Sequence, residues 1–517
     1  MSTLALRLRA SPVPARIVAA WESIALRWNP LAVIIVAWAV LALPLVVFRG
    51  YYAHEGLAVT IARMALETRD WVTPHLFNIR FVERPTLQSW IIEAVSAPFG
   101  GVSQITARLP SAVFLLCGCL LIYALLRKVA ASVPAALLGV ALFLASPLVI
   151  RSYVMVTADL SLAVTLFFAF YLWWSGNEKG SISIGRWLAI GVVLAFAGLF
   201  KGPQPVAYFG LGIGVYVLAT RAWRQIPGLI LAGVICLLPL AAWYAAIYAT
   251  GDESTWESFM RLKNPYGTFA GPLEESVHIV LDTLPATLLA AAFLITRAFA
   301  HVPDKWIPAF RKEQAQTKGS GAHLDSIESA YTPGARGSAP RHFVAALASY
   351  AFVAAVMILF WPAGSASRYY LPMVPPLAVY GGLGYDLLAR KRPDIVAPIL
   401  AVTAGLLLYA LGYTAASPFF PKQFRDATVD GARMTALVQA APSPIYWSGD
   451  VALNILPYVP GTIRNVSMDE LAKLAGPAWI VVAIPDADAL IAQRPNVLHA
   501  VIPLGNAEQW RLLRLER

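Results

Sequence analysis

Residues 48–76 read FRGYYAHEGLAVTIARMALETRDWVTPHL, and they follow directly on the apolar run Leu31–Phe48. A hydrocarbon core of about 30 Å needs roughly 20 apolar residues to cross, so the preceding run has the length of a membrane span. The quoted stretch is what the chain presents as that span ends, and it brings two tyrosines, a His-Glu pair and three arginines. Leu57, Ile61, Met64 and Ala65 recur at helical spacing after Glu55, and Leu87, Trp90, Ile91, Ala94 and Val95 do so after Pro85, which suits a first helical turn. Both patterns are too short and too polar on one face to cross a bilayer. They are expected to lie as amphipathic helices along its outer surface.

The rest of the 517 residues fits that frame. Hydrophobic residues make up 58% of the chain, charged residues only 13%, and the mean hydropathy is +0.63. Soluble domains do not have this composition, whereas an integral membrane protein does. Unbroken runs such as VPAALLGVALFLASPLVI (133–150) exclude the alternation of a β-barrel, so the spans are helices. Spans are expected near 31–48, 109–126, 133–150, 154–174, 187–200, 205–220, 228–248, 276–297, 342–361, 371–389 and 395–413, about eleven in all. The fold class is therefore an all-α polytopic membrane protein with outer-face amphipathic helices and a small C-terminal α/β domain.

The net charge of +11 raises nucleic acid as a partner, and its distribution argues against one. Arg127 and Lys128, Lys179 and Arg186, Arg221 and Arg224, the stretch from Arg297 to Arg341, and Arg390, Lys391 and Arg392 all fall in alternate loops. That is the positive-inside pattern. It places residues 1–30 and the Gly/Ser-rich connector 298–341 on the cytoplasmic side, and the first loop 49–108 and the tail 417–517 on the other. A transmembrane domain over 31–413 separates them. The tail changes period: PIYWSGD, TIRNV and AWIVVAIPD read as strands, DATVDGARMTALVQAA and SMDELAKLAG as helices, the second opening on a Ser467/Glu470 capping box. No signal peptide is visible, and Cys117, Cys119 and Cys236 all sit inside spans without metal-ligand spacing.

Charge beside a membrane span is costly and usually functional. On the proposed outer side His54, Glu55, Glu83, Arg84, Arg151, Asp159, Lys201, Arg261, Lys263 and Arg368 come from separate segments and share one membrane level. A single site at the outer interface accounts for them. A sugar carried on a polyprenyl phosphate would bring its phosphate to that level, where cations stabilise the departing group and a base activates an acceptor hydroxyl. Asp159 could alternatively do no more than pair with Arg151.

The first loop through ARLPSA (107–112) resembles that of the GT-C glycosyltransferases of the protein O-mannosyltransferase and lipid A aminoarabinose transferase superfamily. VTADLSLA, LFKGPQPV and SRYYLPMVPPLA are similar to later elements of the family, in the same order. The resemblance implies transfer of a sugar from a polyprenyl phosphate donor to a lipid or glycolipid acceptor, such as lipid A or lipopolysaccharide core. It also implies inversion in a single displacement, at the periplasmic face of the bacterial inner membrane. His54, Glu55 and Asp159 then fall on catalytic positions, Arg84, Lys201, Arg261, Arg368, Tyr369 and Tyr370 on donor-phosphate positions, and Glu83 and Arg151 on supporting ones. His54 stands where the family has an aspartate; an imidazole with an unperturbed pKa of about 6.5 is a reasonable base. Arg84 stands where the family has lysine. No residue is assigned to a metal, since the histidine expected after the arginine of FMRLKNPYGTFAGP is not evident, and no cofactor is firmly implied. A lipid-sugar flippase and a silent relative that only binds are the alternatives.

Overall fold

A computed structural model describes residues 12–51, 55–82, 84–177, 182–249, 270–299, 341–359, 367–420, 427–448, 454–505 and 509–516. Helices dominate up to residue 416. The chain enters through α1 (Val13–Arg27) and α2 (Pro30–Phe48), whose start is fixed by Pro30 and by Asn29 Oδ1, which accepts the Leu31 and Ala32 N–H groups at 2.9 and 3.3 Å. The first loop folds as α3 (Glu55–Thr68) and α4 (Leu87–Ser96), both in line with the 3.6-residue pattern. Between them lies a small hairpin the pattern did not announce. Strand β1 (His75–Leu76) pairs antiparallel with β2 (Ile79–Arg80) across Phe77 and Asn78, and Phe77 takes a left-handed φ of 59°.

The bundle continues with α5 (Gln104–Lys128), α6 (Val133–Ala145), α7 (Pro147–Ser152), α8 (Ala158–Asn177), α9 (Ile184–Lys201), α10 (Gly212–Ala219), α11 (Ile226–Ala249), α12 (Ala270–Asp282), α13 (Ala286–Phe299), α14 (Arg341–Leu359), α15 (Val374–Leu388) and α16 (Pro393–Ala416). Six helices among the described residues are long and apolar enough to cross a membrane: α2, α5, α8, α9, α11 with the turn before it, and α16. A seventh span is formed if Ser276–Asp282 and Ala286–Arg297, bent by 105° at their junction, count as one. Long helices among the described residues thus do not by themselves account for the expected eleven spans, although every expected segment contains helix and Val133–Ala145, Val206–Ala219 and Arg341–Met357 are shorter apolar helices. Prolines account for part of the difference: Pro147 opens a new helix and divides 133–150, and the π-helical segment Val206–Leu211 follows Pro203 and Pro205. Many apolar side chains on the outside of these helices, such as Val36, Phe48, Ile230 and Leu408, stay exposed at around 60%, as a multi-pass membrane protein requires. Inside, backbones approach closely. A Cβ built on Gly382 of α15 would lie 2.8 Å from the Ala135 carbonyl oxygen of α6.

The tail forms one mixed sheet. Strands β3 (Ile445–Trp447), β4 (Ile463–Asn465), β5 (Ala478–Ala483), β6 (Leu498–Leu504) and β7 (Trp510–Leu515) lie in the order β4-β3-β5-β7-β6, with β3 parallel to both its neighbours and the pairings of β7 antiparallel. Alternation on β5 splits two cores. Ile480 and Val482 pack with Leu471 of α18 (Met468–Lys473) and Leu490 of α19 (Ile484–Gln493). Trp479 and Val481 join Met434 of α17 (Thr428–Ala440), and Phe77 of the first-loop hairpin enters the same core, with Met64 and Ile79 against its edge. The C-terminal domain thus closes over part of the first loop.

On α4, Glu93 is fully buried, and neither carboxylate oxygen has a hydrogen-bond partner among the described residues. Burial pushes its carboxyl up from 4.5 to about 7. The folded chain therefore holds a proton that the unfolded chain has released, and this contribution to stability is complete below 4.5 and lost as pH rises through 7. Replacing Glu93 with Gln should leave the thermal midpoint near that of the wild type at pH 4.5 and raise it at pH 8, measured by differential scanning fluorimetry in detergent.

Candidate active site

Beneath the first loop lies a cavity of about 320 Å³, and its walls come from α3, α4, the segment leading into α8, the end of α9 and the turn before α15. Asp159 sits in the first turn of α8 and is buried. Lys201, the last residue of α9, donates through Nζ to Asp159 Oδ1, while Arg368 Nε lies 3.3 Å from Oδ2. The Lys201 ammonium also stands 3.7 Å from the Tyr369 ring centroid, and the Arg368 guanidinium is 5.4 Å from it. Arg84 also lines the cavity, 5.9 Å from the Phe81 ring. One carboxylate therefore faces three cations among the described lining residues, so the cavity is built for an anion.

Its other wall is neutral and polar. Gln88 lines the cavity, is itself buried, and is held by Ser161 Oγ, which donates to Oε1 at 2.9 Å. Gln88 Nε2 donates to Ser111 Oγ at 3.4 Å. Thr86 Oγ1, also on the lining, is buried with no hydrogen-bond partner among the described residues. A hydroxyl of this kind is costly to leave unpaired, and a polar ligand would satisfy it.

Several expected residues do not line the cavity. Glu55 is buried in an ion pair with Arg108, with Nη2 to Oε2 at 2.6 Å and Nε to Oε1 at 3.3 Å, and Oε1 also accepts the Val156 N–H at 2.9 Å. Arg108 further donates to the carbonyls of Leu45, Arg49 and Gly50, closing the end of α2. Arg151 does not pair with Asp159; it reaches Asp282 of α12 at 2.7 Å and is half exposed, because α7 turns its side chain toward that helix. Tyr370 is fully buried in the helical core while its neighbour Tyr369 faces the cavity. His54, Glu83, Arg261 and Lys263 lie outside the described residues. Among the described residues no three His, Cys, Asp or Glu side chains converge on a site that could hold a metal ion.

Arg108 was missed as a functional residue although the motif containing it was read. A guanidinium four residues into a 25-residue apolar helix was the available signal, since such a charge requires a buried partner. Gln88 and Thr86 gave no comparable signal.

Fold and site together define a class: a polytopic membrane protein of the GT-C fold with an anion-accepting cavity under its first loop. Residues 83–245 match the family described as dolichyl-phosphate-mannose-protein mannosyltransferase. The chain is similar to the undecaprenyl phosphate-alpha-4-amino-4-deoxy-L-arabinose arabinosyl transferase of Edwardsiella ictaluri, 25% identical over 240 residues, covering 45% of this chain and 42% of that protein. A second transferase of that name, from Proteus mirabilis, is 26% identical over 207 residues, covering 38% and 36%. The chain thus spans about two fifths of the length of the curated relatives it matches. In structure it is similar to ArnT from Cupriavidus metallidurans bound to undecaprenyl phosphate, with a TM-score of 0.70 at 17% identity over 94% of this chain and 97% of that one. The chain is thus similar to these transferases by sequence over part of its length, and to ArnT by fold over nearly all of it.

Removing one member of a buried ion pair leaves the other charged and unpartnered, at a cost of about 3–5 kcal/mol. Arg108→Leu and Glu55→Leu should each lower the thermal midpoint strongly, and the double variant should recover part of the loss. Additive losses in the melting curves would show that the pair is not the stabilising unit.

Proposed function

We propose that the protein is a membrane glycosyltransferase. It transfers a sugar from a polyprenyl phosphate to an envelope acceptor such as lipid A or lipopolysaccharide core, in one inverting displacement. The reading rests above all on the arrangement of Lys201 and Arg368 on Asp159, with Arg84 on the lining, in a cavity under a loop that follows a membrane span. Supporting it, relatives are named as transferases that use undecaprenyl phosphate-linked aminoarabinose, and the ArnT structure of the same fold is described as bound to undecaprenyl phosphate.

The chemistry follows from charge. A phosphate joined to both lipid and sugar carries a single negative charge. As the bond from the anomeric carbon to the phosphate oxygen breaks, the leaving lipid phosphate approaches the charge of a monoester, about −1.5 to −2 near neutral pH. Three cations against one carboxylate leave an excess of positive charge, so the cavity favours the departing phosphate over the intact donor, and that difference accelerates the reaction. Asp159 holds the two cations in place and keeps them apart. The neutral wall of Thr86, Gln88 and Ser89 is suited to sugar hydroxyls.

The acceptor hydroxyl oxygen attacks the anomeric carbon from the face opposite the phosphate, and its proton passes to a base. In this proposal His54 is that base. Glu55, tied to Arg108, holds the loop that carries it. Glu83 and Arg261 remain as proposed supporting and phosphate-binding residues. The positive-inside distribution supports a cytoplasmic N-terminus, with the site and the C-terminal domain on the periplasmic side of a bacterial inner membrane.

Lys201→Ala and Arg368→Ala should each lower turnover by about a hundredfold or more, the scale of losing one transition-state donor. Arg368→Lys should retain part of it. The measurement is release of polyprenyl phosphate by purified protein in proteoliposomes, with mass spectrometry of envelope glycolipids from cells with and without the protein. Lipid movement across the bilayer without cleavage of the sugar would point to a flippase, and neither activity to a binding protein.

A further inference from the structure

The C-terminal domain touches the first loop in two places, and they differ in what they lead to. One is the hairpin: Asn78 Nδ2 donates to the Asn465 carbonyl at 2.9 Å, Asn78 Oδ1 accepts the Asn465 N–H at 2.5 Å, and Phe77 sits in the domain core. The other is the turn Leu456–Tyr458. There the Tyr458 phenol oxygen accepts the Tyr51 N–H at 2.8 Å, and the two rings pack with centroids 4.9 Å apart. The Tyr51 carbonyl accepts the Ala427 N–H at 3.0 Å, at the entry to the domain, and Arg63 of α3 donates to the carbonyls of Pro457 and Val459 at 3.4 and 3.1 Å. Tyr458 is itself held tightly, since a Cβ on Gly431 of α17 would lie 2.6 Å from its ring.

From Tyr51 a continuous polar path runs into the cavity. The Arg108 guanidinium lies 5.6 Å from the Tyr51 ring centroid, Arg108 grips Glu55 with two bonds, and Glu55 fixes the Val156 N–H. Residues 156–159 then form one wall of the cavity and end on the carboxylate that holds Lys201 and Arg368. The side chains of Tyr51, Glu55 and Arg108 are all buried, and Tyr458 is partly buried at the outer end of the path, so the links beyond Tyr51 are closed to water without a local opening. The hairpin reaches the cavity by a separate route, through Phe81, whose N–H donates to the Pro74 carbonyl at 2.7 Å and whose ring lines the cavity beside Arg84, and not through residues 156–159.

We propose that Tyr458 is a positioning residue through which the C-terminal domain sets the geometry of the anion-binding wall, by way of Tyr51, Arg108, Glu55 and Val156. The domain is then a working part of the cavity as well as a cover. The functional half of this inference rests on reading the cavity as the site of a lipid phosphate. Its mechanical half does not. Without the phenol oxygen the Tyr51 N–H loses its acceptor in the domain, the junction opens more often, and the anchor of the Val156 segment is held less firmly.

The test uses the full-length protein in lipid nanodiscs, as wild type, Tyr458→Phe and Asn78→Ala. Tyr458→Phe keeps the ring and removes only the oxygen; Asn78→Ala weakens docking of the same domain away from the path. Hydrogen–deuterium exchange of peptides covering residues 153–160 and the affinity for undecaprenyl phosphate are measured together. Tyr458→Phe should speed exchange at Val156 and weaken undecaprenyl phosphate, each by about tenfold, the scale of one buried hydrogen bond lost. Asn78→Ala should leave exchange over residues 153–160 at the wild-type level, because the hairpin meets the cavity at Phe81 and not at Val156. Equal effects of the two variants, or wild-type exchange in Tyr458→Phe, would overturn the proposal. If the wild type binds no undecaprenyl phosphate, the donor-site reading fails, and the exchange comparison still decides whether Tyr458 controls the wall.

Discussion

A carboxylate and a guanidinium buried side by side, Glu55 and Arg108, hold the point where the first span, the first loop and the second span meet. Neither charge has access to water, so each depends on the other and on the backbone groups around them. Arg108 closes the carbonyls left open at the end of α2, and Glu55 takes up an amide from the segment leading into α8. Three stretches far apart in sequence are thereby fixed at one place. Apolar packing alone could not do this at a bundle end, because dispersion has no direction and helix ends carry unpaired backbone polar groups.

The cavity obeys the same rule with the balance deliberately unequal. At the Glu55–Arg108 junction the charges match, and the unit is inert. Around Asp159 one carboxylate serves two cations, Lys201 and Arg368, so that cluster carries more positive than negative charge. Excess charge in a poorly hydrated site is expensive unless a ligand of the opposite sign arrives. Two clusters of similar composition, linked through the Val156 N–H that Glu55 accepts, thus differ in the stoichiometry of their charges. The balanced one is closed on itself, and the unbalanced one is suited to an anion.

This difference explains which residues could be read from sequence. Hydropathy reports the spans because lipid imposes one requirement over about 20 residues. Asp159, Lys201 and Arg368 were legible as charges beside spans, a rare and costly placement. What the pattern could not distinguish was which of the charges were satisfied by one another. Glu55 and Asp159 look alike in sequence, yet one is sealed to Arg108 and the other opens onto the cavity. Tyr369 and Tyr370 are adjacent, and only the helical turn around them decides which faces the site. The hairpin at Phe77 and the antiparallel pair β6–β7 escaped for a different reason. Two-residue strands carry no period, and β6 exposes three successive residues, so its alternation is blurred. The expected span count is not matched by long helices among the described residues where prolines divide apolar runs.

The polar stretch after the first span can now be understood from both of its neighbours. On the bundle side it contributes Glu55 to the junction and Leu57, Ala58 and Ile61 to the cavity. On the other side Met64, Phe77 and Ile79 meet the core of the C-terminal domain, and burying a phenylalanine of this kind is worth about 1.5–3 kcal/mol. A loop at a membrane surface with apolar residues on both faces cannot be left open to water on either. The sheet domain supplies the missing cover, and its cost in chain length is justified because the covered loop forms the roof of the charged cavity. A merely flexible loop would let water reach the cations and weaken their hold on any anion. Rigid cover on one face and a balanced ion pair beneath it keep that charge concentrated where the lipid phosphate would lie.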